Sequence, residues 1–377
     1  AAQEDRTLLC PQACGAEAAW VGAVKVIAPR TLADMVRHFT GQSVLQPSEP
    51  GEVLGQSGTR DLSEVKGQER AKRALEIAAA GRHHLLLVGS PGSGKSMLAA
   101  RIPGILPPLT PVEALETSMI HSLSGLLDEG GINRERPFRE PHHTASMAAI
   151  VGGGRTAKPG ELSLAHNGVL FMDEFPEFPR TVLETLRQPI ETGEVVVARA
   201  NAHVRYPCRF MLVAAANPCK CGYLSDPARA CTRAPICGED YMGRISGPLM
   251  DRFDLRVEVP PVAFTDLDLP ETGESSADVA SRVDQARRAQ SARFAGHPAA
   301  RVNADMEGHL LDEMARPDDE GRALLVKVAE RFGLSARGYH RVLRVARTIA
   351  DLEGGQNVRK PHIAEAVSYR LAMAKEV

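Results

Sequence analysis

Aromatic side chains are scarce in this chain: they make up 4% of its 377 residues, with a single Trp. A surface that reads nucleobases by stacking them on ring after ring needs more, so that class of binder is disfavoured. Long apolar runs are missing too. None approaches the roughly 20 residues of a membrane-spanning helix and no cleavable leader is visible, so the expectation is a cytoplasmic protein without membrane contact. Net charge is nearly absent at −2. That excludes a uniformly basic nucleic-acid coat but leaves room for a local basic stripe. Internal repeats and low-complexity tracts are missing as well. The first residue is Ala1 rather than Met, and residues 1–45 read as the end of a longer unit.

What is present is an ordinary globular balance, 43% hydrophobic and 24% charged, in a chain long enough for roughly two or three domains. Segment 1–45 closes with "TLADMVRHFTG", where Leu32, Met35, Val36 and Phe39 recur at helical spacing and Gly41 stops the helix. The stretch 46–60, rich in Pro, Gly and Ser, reads as a linker. From 61 to 262, helical patterns such as "ERAKRALEIAAAG" alternate with short apolar runs, "GVLFMD" and "RFMLVAAAN" among them. Such alternation predicts an α/β domain around a largely parallel sheet. Within it, "EVVVARANAHVRYP" (194–207) reads as two short strands around Ala200-Asn201-Ala202, a projecting hairpin. An acidic, turn-rich linker covers 263–278. The remainder, 279–377, is helical in pattern throughout, a small all-α lid domain.

Gly89-Ser90-Pro91-Gly92-Ser93-Gly94-Lys95-Ser96, followed by Met97, fits G-x-x-x-x-G-K-[ST] in full, between the apolar run Leu85–Val88 and a helix. Glycines leave the backbone N–H groups free to wrap phosphates at the positive end of that helix. Lys95 would reach the β- and γ-phosphates, and the Ser96 hydroxyl would ligate magnesium. ATP and Mg²⁺ are therefore the expected cofactors. The run Val169–Met172 ends in Asp173, placed to hold Mg²⁺ through water, and Glu174, facing the other way to polarise an attacking water. A third apolar run ends in Asn217, which would orient that water. The pair Asp173-Glu174 points to hydrolysis rather than mere binding.

Together with "PLMDRFD" and "SARGYHRVLRVARTIADLEG", these motifs resemble the AAA+ ATPases of the helix-2-insert kind, P-loop proteins with a parallel sheet and a helical lid. The stretches "KGQERAKRALEIAAAGRHHLLLVGSPGSGKSMLAARIPGILPPL", "RPFREPHHTASMAAIVGGG" and "RISGPLMDRFDL" are similar to the YifB/ComM family of magnesium chelatase-like competence proteins. The resemblance implies a homo-hexameric ring with ATP at its subunit interfaces. It makes Arg252, with Arg244 close by, the arginine finger that reaches a neighbour's γ-phosphate. It makes Arg337 sensor 2, swinging the lid onto the nucleotide, and Gly67-Gln68 the adenine-side turn. For Arg337 a plainer reading stands alongside: with Arg341 and Arg344 it shares one solvated helix face. Residues 1–45 resemble the tail of that family's N-terminal Lon-protease-like domain.

Two insertions would form the working end: 139–162, corresponding to the helix-2 insert, and the hairpin 194–207. In the resembling helicases both face the pore and touch DNA. Arg155, Lys158, Arg199, His203 and Arg205 are the candidate phosphate contacts; the alternative is that these loops contact only neighbouring subunits. His142 and His143, adjacent in an extended segment, should point to opposite sides, so chelation by the pair is not expected. In the loop 219–237, Cys219, Cys221, Cys231 and Cys237 supply four thiols. They read either as a structural Zn²⁺ site or as reduced thiols in an irregular loop. Two functions remain open. One is a DNA motor, a helicase or branch-migration factor in natural transformation acting on single-stranded or branched DNA. The other is a chelatase-type or chaperone-type ATPase that remodels a protein partner.

Overall fold

Apolar runs of four to six residues that end in a polar residue suit strands buried on both faces. The computed structural model describes residues 6–19, 24–49, 60–126, 134–154, 157–199, 202–224, 229, 231–262, 273–297 and 300–371. It assembles those runs into a five-stranded sheet in the order Leu255–Glu258, Leu85–Val88, Met211–Ala216, Val169–Met172, Phe138–Arg139. Every adjacent pair is parallel. Alternate residues feed two cores. Leu85, Leu87, Val213 and Phe171 belong to one layer, and Leu86, Leu212, Ala214 and Met172 to the other. All eight are at most 1% exposed, which is why these strands read as unbroken apolar runs instead of alternating ones.

One face is covered by the helix Glu69–Gly81 and by the C-terminal helices Ser276–Arg293, Gly308–Met314, Asp319–Phe332, Ala336–Leu352 and Lys360–Leu371. The first of these starts three residues before the boundary expected at 279. Its start signal lies inside the acidic stretch read as linker: Ser275 accepts the Asp278 N–H as an N-cap. This helix docks on Glu69–Gly81 by satisfying carbonyls of that helix's last turn. Arg287 donates to Ala79 O at 2.7 Å and Gln290 to Ala80 O at 3.0 Å. The helical region thus shares one continuous core with the sheet.

The insert and the hairpin lie on the opposite face. The hairpin strands are Glu194–Arg199 and Ala202–Pro207, with Val195 opposite Tyr206 and Val197 opposite Val204, as the sequence predicts. In the N-terminal segment, Leu8–Leu9 pairs in parallel with Val26–Ile27. The expected helix runs Leu32–Phe39, started by a Thr31–Asp34 capping box, with Gly41 at φ +73° beyond it. Its apolar residues Leu32, Val36 and Phe39 are exposed. Residues 50–59 and 263–272 of the two linkers lie outside the described residues. No helix among the described residues is long and apolar enough to cross a membrane.

Candidate active site

Parallel strands deliver their following loops to one edge of the sheet, so Gly89, Asp173 and Asn217 arrive together although far apart in sequence. Lys95 Nζ donates to Gly89 O at 2.8 Å, Ser90 O at 2.9 Å and Asn217 Oδ1 at 3.2 Å. Burial lowers the Lys95 pKa, with Asp173 and Glu174 working against that shift. Gly92 and Gly94 sit at φ +75° and +91°, the left-handed backbone a phosphate-wrapping turn needs. Ser96 Oγ donates to Asp173 Oδ2 at 2.6 Å, so the hydroxyl and carboxylate expected around magnesium already meet. That donor set fits the ion. Gln68 Nε2 reaches Pro260 O at 2.5 Å and Ser93 O at 3.4 Å, which sets the Gly67-Gln68 turn beside the same loop.

Glu174 takes a left-handed backbone at φ +49°, a conformation that costs a non-glycine residue about 1 kcal/mol. Its carboxylate meets His143, Nδ1 to Oε2 3.1 Å. Sequence reasoning missed this contact, because it depends on the edge strand Phe138–Arg139 lying beside Val169–Met172. The expectation that His142 and His143 diverge is overturned. Their rings lie 4.2 Å apart at 31°, because the Ala145 N–H bonds to His142 O and folds the segment into a turn.

Arg252 is 6% exposed and spends its guanidinium inside its own chain. Nε donates to Arg187 O, Nη1 to Pro248 O and Nη2 to Glu191 Oε1. To reach a neighbour, the Arg252 guanidinium would have to give up these bonds. Arg244 is half-exposed and paired with Glu177 at 3.0 Å. Arg337, 68% exposed, does not overhang its own phosphate loop. It lines a cleft of about 810 Å³ with His84, Arg209 and Asp254, residues that precede three sheet strands, whereas the phosphate loop follows one. The docked helical region therefore holds Arg337 at the opposite edge of the sheet from its own phosphate loop.

The family model described as magnesium chelatase, subunit ChlI, matches residues 61–267, and that of the ChlI C-terminal part matches 273–370. Competence protein ComM of Haemophilus influenzae is 43% identical over 98% of this chain and 72% of its own length. The chain belongs to the magnesium chelatase-like ComM/YifB family. YifB of Escherichia coli is 45% identical over 88% of this chain and 64% of its own. The magnesium-chelatase 38 kDa subunit of Rhodobacter capsulatus is 27% identical over 88% and 93%. The chain thus spans about two thirds of the length of YifB and somewhat more of ComM. Its architecture is that of a P-loop AAA+ core followed by a helical domain.

In this ComM/YifB member the cysteine loop follows Asn217 directly and leans on the phosphate loop. Gly222, at φ +84°, lies so close that an added Cβ would come within 2.3 Å of Pro91. Cys219 and Cys221 Sγ are 3.1 Å apart and Cys231 and Cys237 2.7 Å, all as free thiols. Hydrogen bonding to Cys231 helps push the Cys237 thiol up to about 12. Four sulfurs around one zinc ion would keep about 3.8 Å between them. Among the described residues no group of three or more His, Cys, Asp or Glu has the arrangement of a metal centre. The zinc reading is not supported.

The two insertions of this family member are tied together, Tyr206 Oη donating to Ala157 O at 2.8 Å. Val195, Val197 and Tyr206 are buried against the insert side, while His203, Arg205 and Lys158 are exposed. Arg155 lies outside the described residues. Arg199 ends its hairpin strand.

Proposed function

We propose that this ComM/YifB family member is a magnesium-dependent ATPase that works as a homo-hexameric ring and moves single-stranded or branched DNA. In that reading it serves as a helicase or branch-migration factor in natural transformation. The observation that carries hydrolysis is the convergence of Lys95, Ser96, Asp173, Glu174 and Asn217 at one sheet edge. When bound, MgATP supplies the reactive γ-phosphoryl group and the cation that offsets its charge. Lys95 Nζ exchanges carbonyl partners for phosphate oxygens. Ser96 and Asp173 hold the cation, Glu174 Oε takes the proton of the attacking water, and Asn217 orients that water. His143 holds the Glu174 carboxylate in the intervals. Arg337, at the far edge of the sheet, completes the pocket of the adjoining subunit, so turnover belongs to the assembled ring.

The basic residues Lys158, His203 and Arg205 on the joined insertions support DNA as the ligand, with phosphate contacts rather than base readout. A second reading, remodelling of a protein partner, is favoured by the two chelatase family matches that span both domains. Steady-state ATP hydrolysis with and without single-stranded and forked DNA separates the two, with Lys95→Ala as control. The motor reading expects stimulation that fades steeply with salt. No response to any DNA selects the protein-remodelling reading.

A further inference from the structure

Arg337 is largely exposed, and its acidic partner is Glu191, with Nη1 3.9 Å from Oε1. The same Oε1 is bound by Arg252 Nη2, from a side chain only 7% exposed. The two arginines therefore differ in freedom. Arg252 is locked by two backbone carbonyls as well; Arg337 is held at long range by one shared oxygen. The buried residue fixes the carboxylate, and the carboxylate holds the exposed residue.

We infer that Glu191 is a positioning residue that restrains Arg337 in the resting subunit. The neighbouring chain's triphosphate must take Arg337 away from it. The inference rests on the reading that Arg337 completes the neighbour's pocket. A long, exposed ion pair is weak, while phosphate oxygens offer a guanidinium paired, charge-assisted bonds, so the exchange runs forward once a neighbour is loaded. Glu191 also lies near the end of the helix Arg187–Thr192, which passes through Gly193 at φ +67° directly into the hairpin at Glu194. The restraint is thus continuous along the chain with the hairpin.

The test is ATP hydrolysis by the whole chain, without DNA, for wild type, Glu191→Gln, Glu191→Ala, Arg337→Ala and the double variant Glu191→Gln/Arg337→Ala. Glu191 is 44% exposed, Gln keeps an acceptor for the buried Arg252 Nη2, and an unfolding midpoint near wild type qualifies each variant before its rate is compared. Removing the carboxylate should raise kcat about two- to fivefold, the scale of one exposed ion pair. The ATP concentration for half-maximal rate should fall by a similar factor, because the neighbour's triphosphate no longer competes with a carboxylate for Arg337. The double variant should be as inactive as Arg337→Ala, since the restraint acts through Arg337. Unchanged or slower turnover in both Glu191 variants, with Arg337→Ala inactive, overturns the restraint alone. Wild-type turnover by Arg337→Ala overturns the neighbour-completion reading, and the restraint with it.

Discussion

Lys95 Nζ lies 3.2 Å from Asn217 Oδ1, a contact across two adjacent parallel strands whose register pairs Val88 with Ala216. The two side chains thus bracket the place where a γ-phosphate and its attacking water would meet. Replacing Asn217 by Ala removes the orienting amide and leaves the loop. Turnover should fall about a hundredfold, as for loss of one aimed hydrogen-bonding group, with ATP affinity little changed. Steady-state hydrolysis beside a nucleotide-binding titration checks this, and a parallel loss of affinity would refute it.

Glu174→Gln should keep ATP bound but slow hydrolysis by about 10²- to 10⁴-fold, the range for loss of a positioned general base. His143 can still hydrogen-bond the amide, so the variant should fold normally. Retained turnover would remove Glu174 from the chemistry.

Gly222→Ala tests the brace between the cysteine loop and the phosphate loop. Its φ of +84° costs an L-residue about 1–2 kcal/mol, and its Cβ would press on Pro91 at 2.3 Å. Both a lower unfolding midpoint and weaker ATP binding are expected. Lower stability with unaltered ATP binding would show that the contact does not shape the site.

His84 and His166 set the pH response of stability. Burial holds them down to about 3 and about 4, and each Nδ1 accepts a backbone N–H, from Leu212 at 3.0 Å and Arg209 at 3.1 Å. The unfolded chain protonates both below about pH 6.5, while the native chain does not until much lower pH. Their contribution is thus complete above pH 6.5 and is lost as pH falls toward 4, at up to about 2.7 kcal/mol per pH unit for two protons. Urea unfolding at pH 7.5 and 5.0 should show a lower midpoint at 5.0; equal midpoints would contradict it.

The phosphate loop, Asp173-Glu174 and the strand ending at Asn217 were legible in the sequence because each is a local pattern, an apolar run stopped by a polar residue. The hairpin was legible for the same reason, through alternation and a short turn. Strand order was not, since nothing local records that Leu255–Glu258 lies beside Leu85–Val88. The same limit explains the arginines. A motif locates Arg252 and Arg337 in the chain, but which sheet edge they reach depends on how the helical region docks, through Arg287, Gln290 and the His83–Thr348 contact at 2.7 Å. His142-His143 misled because an extended pair and a turn carry the same letters.

The central claim is that one chain's Lys95 loop and another chain's Arg337 form a single working pocket. Mixing two inactive variants, Glu174→Gln and Arg337→Ala, tests it most directly. Random co-assembly at equal amounts leaves about a quarter of the interfaces with both partners intact, so ATP hydrolysis should reappear at about that fraction of the wild-type rate. If every mixing ratio stays as inactive as the separate variants, although mixed rings form, the pocket is not shared between chains.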